Sequence, residues 1–139
     1  MREARILYPV FALAAWTFII LLRLAFVRLR SGLRPDDFKL GESSRVPEKV
    51  AVANRNYMNL LELPILFYVA CTLLYVGPAV SAISLWLAWI YVALRIVHSL
   101  VHLGYNHVMH RLALFAISNF ILIGLWLSLW RQLGVAMPE

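Results

Sequence analysis

Four stretches of the chain, residues 6–27, 60–76, 80–101 and 112–130, are almost wholly apolar and approach the length of a bilayer-spanning helix. A span needs about 20 predominantly apolar residues to cross a hydrocarbon core of about 30 Å. Inside lipid each backbone polar group must be satisfied within the protein, which leaves the helix as the form open to separate runs of this length. Composition agrees. Of the 139 residues, 63% are hydrophobic and 14% charged, with a mean hydropathy of +0.77. Soluble domains carry roughly 45–50% apolar and about 25% charged residues. The expectation is an all-α integral membrane protein: a four-transmembrane-helix bundle forming a single domain over residues 1–139. Its spans fall at about 6–28, 47–76, 80–104 and 111–131, with a loop at about 29–46.

The first span is preceded by Arg2 and Arg5, as a signal peptide would be, but its apolar core is too long and arginines follow it at once. It is expected to stay as a mature helix. The first connection contains or is flanked by Arg28, Arg30, Arg34, Lys39, Arg45 and Lys49; the second, "VGPAVS", has no charge; the third, "GYNHVMHR", ends in Arg111. The positive-inside rule puts the first and third connections in the cytoplasm and both termini on the other side. Trp86, Trp89, Trp126 and Trp130 fall towards that non-cytoplasmic face, as an aromatic belt does. The net charge of +6 therefore reads as topology, and nucleic acid is not an expected partner. Pro47 is expected in the first turn of the second helix. Cys71, the lone cysteine, allows no internal disulfide and sits among apolar neighbours as a small buried hydrophobe.

Polar residues interrupt the apolar pattern at one level. A second helix beginning at Pro47 runs 30 residues to Val76, about 45 Å, well beyond the hydrocarbon core. Counting back about 20 residues from the uncharged loop puts the boundary near Tyr57, so Arg55, Asn59 and Glu62 lie at it or just inside. Their offsets of 0, 4 and 7 form one stripe. Pro64 is expected to kink the helix there. On the third helix Arg95, His98 and His102, at offsets 0, 3 and 7, occupy a similar depth, with Tyr91, Ser99 and Asn106 nearby. Arg111 opens the fourth helix and Arg23 closes the first. A charge at the bilayer centre costs about 2.5–3.5 kcal/mol, so these groups are expected to face protein or water. Paired charges and snorkelling arginines account for any one of them; the two aligned stripes with Arg111 fit an anion-accepting pocket better.

In this order, Arg55, Asn59 and Glu62 in the pattern R-x3-N-x2-E, followed by proline and phenylalanine, resemble the second-helix signature of the membrane-associated proteins in eicosanoid and glutathione metabolism, the MAPEG superfamily. That superfamily includes microsomal glutathione transferases and prostaglandin and leukotriene synthases. The segment "RIVHSLVHLGYNHVMHR" is similar to its prostaglandin synthase third helix, with Arg111 sixteen residues after Arg95. The resemblance implies a homotrimer with glutathione bound between neighbouring subunits near the cytoplasmic side. It implies that Arg55, Asn59, Glu62, Arg95, His98 and His102 bind glutathione, and that Arg111 stands by the sulfur. It also points to bacterial members, hence to a bacterial inner membrane. Three departures stand out. His102 lies where the eicosanoid enzymes carry tyrosine, Phe115 lacks a hydroxyl found nearby in them, and the proline comes one or two residues early.

Glutathione carries two carboxylates, an ammonium and a thiol, and Arg55, Arg95 and Glu62 offer the complementary charges. Lowering a thiol pKa of about 8.5 by about 2 units takes about 2.7 kcal/mol. One guanidinium at about 4 Å and an effective dielectric of about 20 supplies about 4 kcal/mol before desolvation, so Arg111 alone suffices. The expected activity is a glutathione transferase or peroxidase, with glutathione as co-substrate and a small apolar electrophile or lipid hydroperoxide arriving from the bilayer. Two other classes compete. His98, His102, His107 and His110 offer a histidine metal site, though no carboxylate lies near them in sequence, and no metal is expected. A non-catalytic scaffold of the same fold that binds lipid or a partner protein is the alternative reading. A channel is disfavoured, because polar groups at one depth make a pocket rather than a path.

Overall fold

The computed structural model describes residues 3–39 and 45–136; Arg2 and the middle of the first loop, residues 40–44, lie outside the described residues. The described chain is helical. A 3-10 turn at Glu3–Ile6 leads into α1 (Leu7–Arg30), and a second 3-10 turn at Pro35–Phe38 lies in the loop that follows. Then come α2 (Glu48–Leu61), α3 (Pro64–Val76), α4 (Ala82–Leu103) and α5 (Val108–Ala136). Helices α2 and α3 are two halves of one path broken at Glu62–Leu63, with Pro64 opening the second half. Proline has no N–H to give the ladder and its ring crowds the preceding turn, which is the break the sequence foretold. Pro47 sits one place outside the helix. It caps α2, its carbonyl accepting from the N–H groups of Val50 and Ala51 at 2.9 and 3.1 Å.

Four helical stretches are long and apolar enough to cross a membrane: Glu3–Arg30, Glu48–Val76, Ala82–Leu103 and Val108–Gly134. The last starts earlier and runs further than its apolar core alone suggested. Helix α4 begins sharply because Ser81 and Ser84 satisfy each other's first-turn N–H groups, at 3.1 and 2.9 Å.

Helices α4 and α5 make the most extensive pairing, α1 packs on α2, and α3 leans on α5. Leu13 and Ile20 of α1, Phe67, Cys71 and Leu74 of α3, Tyr91 of α4 and Leu125 of α5 share one core. The Phe67 and Tyr91 rings stack with centroids 4.9 Å apart. Only 17–39% of each span's apolar window is buried within the protomer. Outward faces carry Phe11, Phe18, Leu22, Trp86, Phe120 and Trp130, each more than half exposed. An apolar surface this continuous is unsuited to water. It fits lipid.

Candidate functional site

The interior of the bundle turns polar where α2 faces the second half of α4. Ser99 and His102 continue the buried stripe that begins with Ala88, Tyr91, Val92 and Arg95, and all follow the i, i+3, i+4, i+7 period of a helix face. Across from them α2 buries Val50, Ala53, Asn56 and Leu60. Asn56 Nδ2 donates to Ser99 Oγ at 2.8 Å, bridging the two helices.

Arg95 is 0% exposed. Its Nη2 donates to the Asn59 backbone carbonyl, while Nε and Nη1 are buried with no hydrogen-bond partner. The guanidinium carbon lies 5.7 Å from the Phe115 ring centroid. Tyr91, one turn along α4, buries an equally unpartnered hydroxyl. Glu62 is exposed but near enough for its charge to act on Arg95. Seven residues, about 10 Å of helix rise, separate Arg95 from His102, which is also buried. His98 lies between them, 6.3 Å by ring centroid from both His102 and Phe115.

Beyond the end of α4, Asn106 Oδ1 accepts from Arg111 Nη1 at 2.9 Å and contacts His102 Nδ1 at 3.0 Å. A guanidinium only donates, so the Asn106 atom it meets is the oxygen, and His102 must present Nδ1–H to that same oxygen. His102 Nε2 is then the bare ring nitrogen. It is buried and has no hydrogen-bond partner among the described residues. Arg111 is partly buried, with an unpartnered Nε, and feels the charge of Arg55.

Arg95, His98, His102 and Arg111 are thus brought together inside the protomer. Arg55, on α2, and Glu62, just past its C-terminal end, are exposed and reach the cluster only through their charge. Asn59 contributes its backbone carbonyl to Arg95 rather than a side-chain contact. Arg23 is exposed on α1 and takes no part. Reading the sequence passed over Asn56 as a contributor. The available signal was its place in the buried period of Val50, Ala53 and Leu60, a polar residue where an apolar one would ordinarily sit. Asn106 lies four residues after His102 in the sequence, but nothing in that spacing marks it as the partner of Arg111.

Among the described residues no group of three His, Cys, Asp or Glu side chains comes close enough to hold a metal ion. His107 and His110 do approach each other, at 4.5 Å between centroids, but both are exposed and Tyr105 Oη hydrogen-bonds His110 Nδ1 at 2.9 Å. An apolar groove of about 460 Å³ runs between α3 and α5, lined by Leu63, Leu66, Asn119, Leu122, Trp126 and Trp130. Its lining includes Leu63, the residue that follows Glu62. A cavity of about 560 Å³ at the other end of the bundle, between Gly77, Ser81, Gly124 and Arg131, is remote from the polar cluster.

What this arrangement does chemically follows from its imbalance. Buried N–H groups are normally paired, yet here a fully buried guanidinium keeps two nitrogens unpaired, and Arg111 Nε adds a third. Asn56 Oδ1 and His102 Nε2 are buried and unpaired as well, so what the cluster lacks among the described residues is a buried negative charge. No curated protein and no solved structure matches the chain. A sequence model of the MAPEG family matches residues 6–130, nearly the whole length. The chain therefore belongs to the MAPEG family of integral membrane proteins.

Proposed function

We propose that the protein is a glutathione-dependent membrane transferase or peroxidase, working as a homotrimer. The observation that carries the reading is Arg95: a cation shut away from water and lipid, with two donors that no described residue accepts. A carboxylate of glutathione supplies the missing acceptor and charge, and the fork of arginine suits its two oxygens. Membership of a family that acts on glutathione and eicosanoids supports the same ligand. In the trimer the exposed Arg55 and Glu62 face the interface with the next subunit and complete the grip, Glu62 on the ammonium and Arg55 on the second carboxylate. Asn59, His98 and His102 shape the pocket between them, and Arg111 holds the sulfur as thiolate.

The apolar co-substrate arrives through the bilayer along the α3–α5 groove, which Leu63 lines next to Glu62 in the chain. The thiolate attacks it in water-poor surroundings, where the Arg111 charge is least screened. The charged first loop and Arg111 mark the cytoplasmic side, and the membrane is a bacterial inner membrane. No metal takes part.

Turnover of a chlorinated aromatic or of cumene hydroperoxide with glutathione tests the reading. The wild type turns over, and Arg111→Ala loses about a hundredfold, the equivalent of about 2 pKa units of thiolate stabilisation. Undiminished activity removes Arg111 from the mechanism. The second reading, a non-catalytic scaffold, is favoured by His102 and Phe115 standing where eicosanoid enzymes carry hydroxyls; glutathione binding without any turnover would select it.

A further inference from the structure

Arg111 is not left to swing at the mouth of the cluster. Its Nη1 donates to Asn106 Oδ1 at 2.9 Å, and His102 Nδ1–H donates to the same oxygen at 3.0 Å. Asn106 is itself pinned. Its φ of +49° lies in the left-handed region, and its N–H donates to the Val101 carbonyl at 2.9 Å, closing off α4. Asparagine is one of the few residues other than glycine that hold such a backbone at low cost, so one residue serves both the turn and the arginine.

The chemistry of that acceptor matters. A carboxylate in this place would bind the guanidinium more strongly and cancel its charge. An amide oxygen fixes the direction and leaves the charge for something else. Among the described residues the charge that acts on Arg111 is a second cation, Arg55. The surroundings concentrate positive potential instead of quenching it.

We propose that Asn106 is a positioning residue of the glutathione site, whose neutral oxygen, held from the other side by His102, aims Arg111 at the thiol while leaving its charge uncompensated. This rests on the glutathione reading above. In the step it serves, the S–H bond breaks, the proton goes to solvent, and the electron pair stays on sulfur facing Arg111. The thiolate then forms a carbon–sulfur bond with a chlorinated aromatic, which releases chloride with its bonding pair.

Two variants separate aim from charge. Asn106→Gly keeps the left-handed backbone and the N–H bond but removes the oxygen. Asn106→Asp keeps an oxygen in place and adds a negative charge. Each is compared with the wild type by glutathione calorimetry, by ultraviolet absorbance of bound thiolate, and by the pH profile of kcat. Both are expected to bind glutathione within about threefold of wild type, with thiolate and kcat at neutral pH down about tenfold. In Asn106→Asp the lost rate returns at higher pH, because an added anion opposes ionisation of the thiol without displacing the guanidinium. A residue that merely closed the turn would leave the Asp variant, nearly isosteric, with wild-type thiolate and pH profile; that result overturns the proposal, as does wild-type kcat in Asn106→Gly. Should the Gly variant fail to fold, the Asp variant decides alone. Absence of glutathione binding by the wild type would overturn the glutathione reading, and this assignment with it.

Discussion

Arg95 is the most expensive side chain in the bundle. A guanidinium at membrane depth costs about 2.5–3.5 kcal/mol at the bilayer centre, and here one backbone carbonyl is its only hydrogen-bond partner among the described residues. A buried charge without an ionic partner carries a desolvation cost that an apolar residue of similar volume does not. Arg95→Met is therefore expected to leave the thermal midpoint in detergent unchanged or raised, while weakening glutathione affinity by about tenfold or more, as loss of one charged hydrogen-bonded contact implies. A strongly destabilised variant with intact affinity would make Arg95 a structural residue instead. Asn56 has the opposite role. It joins α2 to α4 through Ser99 at 2.8 Å, and an interhelical bond of this kind is worth about 0.6 kcal/mol on average in a membrane. A double-mutant cycle on Asn56→Ala and Ser99→Ala should return a coupling of about that size; zero coupling would mean the bond carries no stability.

At the scale of elements, the periodicities of α4 and α2 differ in how much they disclosed. On α4 the polar stripe was legible, because Arg95, His98 and His102 interrupt an otherwise apolar helix and lipid forbids them an outward direction. On α2 it was ambiguous. Adjacent residues are roughly 100° apart on a helix, so Asn56 lies roughly a quarter turn from the face of Arg55, Asn59 and Glu62. In a segment polar on both sides nothing local says which face turns inward. Val50, Ala53 and Leu60 decide it, and they put Asn56 inside and Arg55 outside. The break at Glu62–Leu63 was written plainly by Pro64, while the Asn106 hub depends on a loop conformation that no spacing encodes. Pro64→Ala is expected to let α2 run on into α3 and swing Glu62 away from its present direction. Circular dichroism should show helix content kept or slightly raised, and calorimetry should show glutathione binding weakened by more than about threefold, on the scale of a surface-to-interface ion pair. Unaltered affinity would detach Glu62 from the ligand.

At the scale of the whole molecule, the protomer looks unfinished. The spans were plain from apolar length, and the four long helices conform to that pattern. In the trimer proposed here, part of the outward surface meets lipid and part meets another copy. Arg55, on α2, and Glu62, just past its C-terminal end, stand exposed at the level of the buried cations, next to Met58 and Leu61, which are 45% and 44% exposed. A charged pair at this depth gains most from facing a second subunit. Native mass spectrometry from mild detergent should show three copies, and Arg55→Ala should lower glutathione affinity; a strict monomer that still binds glutathione would contradict the shared site.

In the proposed function, Arg95, Arg111 and the groups around them receive glutathione. Calorimetric titration of glutathione into the detergent-purified wild-type protein tests it most directly. The account predicts a saturable heat with a Kd below about 1 mM, in the range where enzymes meet their substrates. Heats no larger than dilution throughout the titration would contradict it.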